Sequence, residues 1–502
     1  MARSGHSPLY PDYRRAEFPN RNLLMLEGKN LYDEHEKLVT LDDAQHLYRE
    51  VFRQNGMVYC RSFASQEIFP WLDTFIRSSH CSVLCNKKGK PLALLLRKGN
   101  HRRWIVLFKT WEMKPDMHSV HILRQAFDHI DAGVAPTPGG LGRNIMRQVW
   151  HQYRLPVHTS PSGHCEQYIR EHMCGGRVDT PGLGNFYPEL LEVDMYFGYI
   201  ANHYCQATDA PVVFTRGEVY GLADFFALCI VYIHSDLALG PFPVRVHSHD
   251  EERVVYPTLS GAYQCYLWKG QVDDARRAGC TVKVVEGYGW RRMTDNTGYL
   301  AERLFDLRDT APTKEVENVV KHCGVAFTGG LGMSGTFYTL IPEEKAGPKD
   351  LIPLVNARTK EPMAYYVHEE ERPYLPNMVH WFSRTITETA RSLYRFALPF
   401  AQDGRLVATN YDSVLVVEKN NEGRRYIKKY TSEEIHPRPG DWRATHLHNC
   451  FIVAPRSIEC DEKSIRPGVM KEGRVKYDGT EQDNRQFRGL YRRRGEKILE
   501  RV

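Results

Sequence analysis

The sequence predicts an α+β chain that opens with an α/β domain. Short apolar runs, "NLLML", "MVYC", "PLALLL" and "RWIVLF", are interspersed over the first ~130 residues with helical stretches such as "LDDAQHLYREVF". A Pro/Gly-rich break, "APTPGGLGRN" at 135–144, interrupts that pattern and is the natural place for a boundary. Beyond the break, two apolar strands each carry an aspartate, at Asp194 and Asp412.

Bulk properties bound the answer before any motif does. A chain of 502 residues has room for roughly two to four domains. Its 42% hydrophobic and 25% charged residues are those of a globular protein, not a disordered one. A net charge of +6, from 67 basic and 61 acidic residues, excludes a wholesale polyelectrolyte binder but leaves room for a local basic groove. Such a groove has one candidate in the tail "NRQFRGLYRRRGEKILERV", where Phe487 and Tyr491 lie among arginines, as phosphate contact and base stacking require. A solvated basic tail has the same composition.

The 12 cysteines include no CxxC pair, and "HLHNC" (His446, His448, Cys450) alternates as a strand does, so a zinc site is not expected. That usage fits a reducing interior. The longest apolar run, "LADFFALCIVYI", has about 12 residues and an Asp within it, too short to span a bilayer. With no apolar stretch at the N-terminus either, a soluble intracellular protein is expected, without a membrane partner. No repeat or low-complexity linker is present.

After the break, "HCEQYIREHMCGGRVDTPG" reads as a helix stopping at Gly175-Gly176, followed by the strand "ELLEVDMYFGYIA". Asp194 sits in that strand behind Leu190, Leu191 and Val193. Burying an unpaired carboxylate is costly, so Asp194 is paired, metal-bound or on an exposed face.

Further on, "APTKEVENVVKHCGVAFTGGLGMSG" predicts a helix over 313–327, placing Lys321, Val325, Thr328 and Gly329 on one face. A lysine opposite a residue without a side chain suits phosphate contact. The GxGxxG at 330–335 follows a helix where a dinucleotide fingerprint must follow a strand, so it reads as a helix end.

"RLVATNYDSVLVVEK", 405–419, reads as a β-hairpin with Asn410, Tyr411 and Asp412 near its tip. A carboxylate on rigid strands is well placed to hold a metal, and a solvated turn aspartate would look the same. Two strand-borne carboxylates with a lysine-bearing helix between them suggest metal-assisted phosphoryl transfer.

The order of the motifs resembles that of family B DNA polymerases, particularly the protein-primed branch of viruses, plasmids and organelles. "EQYIREHMCGGRV" matches the family's helix ending in Gly-Gly-Arg, and "DMYFGY" matches its first palm motif at Asp194 and Tyr199. "GPFPVR", "QVDDARRAG" and "VVEGYGW" follow in the family's order, then the fingers motif at Lys321 and Gly329, with Val325 and Thr328 replacing its Asn and Tyr. The hairpin resembles the family's Tyr-x-Asp-Thr-Asp-Ser, with Asn410 in the first Asp position and Asp412 in the second. "PGDWRATHLHNCFIVAPRSIEC" resembles the strand pair leading to the primer-binding motif, with Arg456 and Ile458 in its key places.

The resemblance covers about residues 160–470 and implies a right-hand polymerase of palm, fingers and small thumb behind an exonuclease-like domain. It divides the chain into the exonuclease-like domain (1–135), first palm part (145–300), fingers (301–335), palm insertion (336–376), second palm part (377–440), and thumb with basic tail (441–502). Asp194, Asp412 and the backbone carbonyl of Met195 would hold Mg²⁺ or Mn²⁺. Tyr199, Lys321 and Gly329 would contact the nucleotide, with Tyr199 excluding a 2′-hydroxyl. Arg177, Arg456 and Lys471 would contact DNA, and Asn410 and Ser413 would assist. Implied partners are primer–template DNA, dNTPs and a terminal protein primer or other replication proteins. In the first domain, Met25 and Glu27 stand for the first exonuclease motif and Arg61, Ser62 and Ser65 for the second, so its metal binding is expected to be lost. The alternative is a polymerase relative with decayed chemistry that acts as a nucleic-acid-binding or structural replication protein.

Overall fold

A computed structural model of the chain describes residues 22–465 apart from 34, 36–37, 62–68, 86–89, 154–162, 204–205, 208, 216–218, 249–250, 295–297, 333–335, 346–350, 356–361, 372–377, 420, 422–439, 455–456 and 463. The chain forms two compact units, residues 1–155 with 302–377, and residues 156–301 with 378–502.

The first unit is built on a ten-stranded mixed sheet. At its centre Asn22–Glu27, Gly56–Cys60 and His101–Leu107 run parallel, and the apolar runs that predicted them are buried. The helix Ala44–Arg53 starts where Asp43 accepts a hydrogen bond from the His46 amide, as an N-cap should. Within Asn22–Glu27, Met25 is buried and Glu27 exposed. Ser62 and Ser65 lie outside the described residues.

The Pro/Gly break at 135–144 is not a linker. Pro138 begins a helix, Pro138–Tyr153, a position where its missing N–H costs nothing. Its glycines let it approach the helix Lys314–Leu331: a Cβ on Gly142 would lie 2.5 Å from the Cys323 carbonyl oxygen and 2.7 Å from the Phe327 Cβ. Glycine composition alone does not distinguish a flexible break from a close helix contact.

Lys314–Leu331 is capped by the Thr313 side chain, and Gly332 ends it. It runs past the expected 327 because Gly329 and Gly330 remain helical. Lys321, Val325 and Gly329 are exposed along one face, whereas Thr328 is buried and donates its hydroxyl to the Gly324 carbonyl. Residues 336–376, expected as an insertion, supply Thr336–Pro342 and Pro362–Glu371 to the first unit's sheet, where Tyr338 faces Cys85.

The second unit has two main sheets. Thr281–Trp290 and Gly261–Trp268 flank Asp224–Ile233 in a four-stranded sheet, with the helix Lys269–Arg277, which carries most of the quoted "QVDDARRAG", packed against it. The other is a seven-stranded antiparallel sheet in the order Ser464–Ile465, Ser457–Glu459, Trp442–Ala454, Phe186–Met195, Ser413–Val416, Leu406–Asn410, Val178–Asp179. Residues 441–502, expected as a thumb and tail, therefore begin with a strand bound along the Asp194 strand from Phe451–Phe186 to Trp442–Met195.

Alternation sorts the Asp194 strand between two cores. Leu191 and Val193 pack with Leu393, Tyr394 and Phe400 of the long helix Val379–Gln402, while Leu190 packs with Leu415 and Leu447. Buried ion pairs hold that helix in place: Arg384 meets Asp224 and Arg391 meets Asp274, each at 2.5 Å. No helix among the described residues is long and apolar enough to cross a membrane, and none of the described cysteines is disulfide-bonded.

Candidate functional site

Asp194 is the penultimate residue of its strand, with a neighbour on each side. Ser413 of the hairpin faces it from one side and Arg443 of Trp442–Ala454 from the other. Arg443 donates from Nη2 to Asp194 Oδ2 at 2.8 Å, and its guanidinium lies over the Tyr196 ring, 4.5 Å from the centroid. The side chains of the pair are 42% and 36% exposed, so solvent reaches the carboxylate.

The chain reverses between Asn410 and Ser413 through Tyr411 and Asp412. Tyr411 takes the left-handed conformation, φ +56°, its amide bonded to the Arg177 carbonyl at 2.9 Å. The Asp412 carbonyl accepts from the Met195 amide at 2.8 Å, so the hairpin tip is pinned to the end of the Asp194 strand. Ser413 is buried, its hydroxyl directed to the Asn410 carbonyl. The Asn410 side-chain oxygen is buried with no hydrogen-bond partner among the described residues.

Beyond Met195 the predicted strand stops. Phe197, at φ +55°, turns the chain into one helical turn, Gly198–Ala201. A Cβ on Gly198 would stand 3.2 Å from both the Asp412 Cβ and the Met195 sulfur. Asn202 ties the turn to the long helix, donating to the Gly198 carbonyl at 2.7 Å and to Thr389 Oγ1 at 3.1 Å. Gly176 leaves room for two aromatic side chains: a Cβ there would lie 2.4 Å from the Tyr411 ring and 3.3 Å from the Tyr199 hydroxyl.

Asp194, Met195, Gly198, Tyr199, Asn410, Asp412 and Ser413 thus converge on one end of the sheet. Arg177 does not act as sequence reasoning expected. It is fully buried, its guanidinium bonded to Asp179 and the Gly240 carbonyl, so DNA cannot reach it in this structure. Its carbonyl, not its charge, meets the hairpin. Lys321 and Gly329 belong to the other unit, and Arg456 and Lys471 lie outside the described residues. Sequence reasoning missed Arg443 and Gly198. Arg443 could have been found by pairing Trp442–Ala454 with the Asp194 strand, but nothing local marks that register.

A second donor group lies on the same sheet. Glu189, Glu418 and His446 place ligand atoms within 4.8 Å of one another, with His446 Nδ1 2.8 Å from Glu189. Beyond it His448 pairs with Glu462, a hydrogen bond that raises the imidazole pKa and holds the Glu462 carboxyl below its usual range against desolvation.

No protein-family model matches the chain, and no curated protein matches its sequence. Solved structures do. Phi29 DNA polymerase in complex with primer-template DNA and incoming nucleotides superposes with a TM-score of 0.66 at 10% identity, covering 90% of this chain and 93% of that one. The chain has the Phi29 DNA polymerase fold. The same polymerase with primer-template DNA alone gives a TM-score of 0.65, and with single-stranded DNA 0.62, at the same identity and coverages. At this identity the likeness establishes the fold over most of the chain.

Proposed function

We propose that this chain is a DNA-directed DNA polymerase of the protein-primed family B type, acting in replication of a virus, plasmid or mobile element. The observation that carries the reading is the antiparallel neighbouring of the Asp194 strand and the Asp412 hairpin within a polymerase fold. Asp412 lies in the turn between Leu406–Asn410 and Ser413–Val416 and not, as expected, on a strand; its carboxylate and that of the Asp194 strand end would form the minimal hard-oxygen site for Mg²⁺ or Mn²⁺, and the orphaned Asn410 oxygen is a further donor such an ion would satisfy. When bound, divalent ions would supply charge neutralisation for an in-line attack by a primer hydroxyl on a nucleotide α-phosphorus.

The chain's own residues would do the rest. Asp194 and Asp412 orient the donor oxygens, with Met195 contributing through its carbonyl. Tyr199, held beside Gly176 and Tyr411, would sit under the sugar and exclude a 2′-hydroxyl. Lys321, on the same exposed helix face as Gly329, would neutralise the triphosphate, and Gly329 has open space where a side chain would stand. Arg456 and Lys471 would grip the primer strand. The helices of 301–335 would act as fingers, and the N-terminal unit, with Met25 and Glu27 in place of a full carboxylate set, would cup single-stranded DNA without degrading it.

The test is primer extension on primed DNA with Mg²⁺ or Mn²⁺, comparing the native chain with Asp194→Asn and Asp412→Asn. Loss of synthesis in both variants supports the reading; synthesis that survives both refutes it. Two observations favour a second reading, a DNA-binding relative with decayed chemistry: Asn410 replaces a carboxylate, and Arg443 occupies Asp194. That reading requires tight primer–template binding with no synthesis under either metal.

A further inference from the structure

Arg177, a DNA contact by the sequence resemblance, instead forms a buried ion pair with Asp179 beside the hairpin. Arg177 is 0% exposed, and its Nε donates to Asp179 Oδ2 at 2.5 Å. Nη1 reaches the Gly240 carbonyl at 2.7 Å, and the guanidinium lies over two rings, 4.2 Å from the Tyr256 centroid and 5.4 Å from that of Tyr394. Nη2 has no hydrogen-bond partner among the described residues. Buried charge is costly, and a pair of apolar residues of similar volume would often fill such a space at no loss of stability. Retaining a cation there calls for a reason other than filling space.

The reason lies in where the bonds lead. Asp179 also accepts from Thr409 Oγ1 at 2.9 Å, and its amide donates to the same hydroxyl at 2.8 Å. Val178–Asp179 is the outermost strand of the sheet and covers the first strand of the hairpin, pairing Asp179 with Thr409 and Val178 with Asn410. The Arg177 carbonyl then takes the amide of Tyr411, the left-handed residue that sets the turn. Three consecutive residues thereby contact three consecutive hairpin residues. A strand of only two residues has little ladder of its own, so the side-chain pair supplies the missing constraint.

We propose that the Arg177–Asp179 pair is a positioning device that fixes the register and turn of the hairpin presenting Asn410 and Asp412. Arg177 anchors Asp179 to the loop at Gly240 and to the rings of Tyr256 and Tyr394. Asp179 transmits that anchorage to Thr409. The inference rests on the metal-binding role proposed for Asp194 and Asp412, but its structural half can be measured without that role.

The test uses the full chain and the double variant Arg177→Met, Asp179→Asn, which leaves no uncompensated charge, alongside Arg177→Lys. Two quantities are read: amide hydrogen exchange across 405–416 and 187–194, and Mn²⁺ affinity by electron paramagnetic resonance. The expected result is faster exchange confined to Asn410–Ser413, and Mn²⁺ binding weakened by about tenfold or more, as loss of a supporting shell produces. Arg177→Lys, which keeps the charge, should fall between. Unchanged exchange at Asn410–Ser413 overturns the proposal. So does exchange accelerated equally through the Asp194 strand, which would make the pair a general stabiliser, or local loosening with unaltered Mn²⁺ affinity. If the native chain binds no Mn²⁺ that Asp194→Asn and Asp412→Asn abolish, the polymerase reading fails, and the lock is upheld by exchange confined to Asn410–Ser413.

Discussion

Arg443→Gln should tighten metal binding. An ion that takes the Asp194 carboxylate competes with the guanidinium that holds Oδ2 at 2.8 Å. Two unit charges at that spacing would attract by about 6 kcal/mol in a medium of ε ~20. The side chains are 42% and 36% exposed, so water and salt screen most of this, and measured pairs of that kind are worth about 0.2–1 kcal/mol. Relief of that competition corresponds to about a 1.4- to fivefold lower metal concentration for half-maximal effect. Glutamine keeps a donor and much of the length while removing the charge. The assay is a Mg²⁺ and Mn²⁺ titration of primer extension, with Mn²⁺ binding measured directly, at low and high ionic strength. The gain should be larger at low salt, and Arg443→Lys should behave as the native chain does. A variant that needs more metal, or the same amount, refutes competition and makes Arg443 a contact for substrate instead.

Three further outcomes are expected. Gly198→Ala places a methyl 3.2 Å from the Asp412 Cβ and the Met195 sulfur, so the hairpin tip must give by a few tenths of an ångström; synthesis should fall by about tenfold with little change in Tm, measured by single-turnover extension and thermal unfolding. Asn410→Asp adds a charge where an amide oxygen lies buried, so the metal-free protein should lose Tm while Mg²⁺ restores it and raises the Mg²⁺-supported rate; an unchanged Mg²⁺ response in both readouts would remove Asn410 from the site. His203 and His380 are buried, and burial pushes their pKa values down to about 4 and about 3. The unfolded chain protonates both near pH 6.5 while the native chain does not, so the stability they contribute is complete above about pH 6.5 and falls by about 1.4 kcal/mol per pH unit for each as pH drops towards their native values. His380→Phe, in the stack beside Trp290, should remove one of those slopes, read as urea midpoints between pH 7 and 5.

Local pattern was enough to recognise the parts. The apolar run Leu190, Leu191 and Val193 marked the Asp194 strand, apolar residues on either side of a polar turn marked the hairpin, and face periodicity marked the exposed-lysine helix. These signals are legible because each arises within a few residues: side-chain period and turn chemistry. The same locality produced the errors. Gly139 and Gly142 read as part of a break until the helix they approach, nearly two hundred residues on, is in place.

Charge was the least legible property of all. Arg177, Lys321 and Arg443 are alike in sequence, yet one is sealed between Tyr256, Tyr394 and Asp179, one is exposed on a helix, and one is paired with Asp194. What separates them is burial and register, set by residues far along the chain: Thr409 lies 230 positions from Asp179, and Asp194 lies 249 from Arg443. Residue types and their periodicity specify which segments become strands and which carry a carboxylate. Only the folded sheet decides which cation faces that carboxylate, because a strand's partner and register follow from the packing of its whole buried face and not from its own residues.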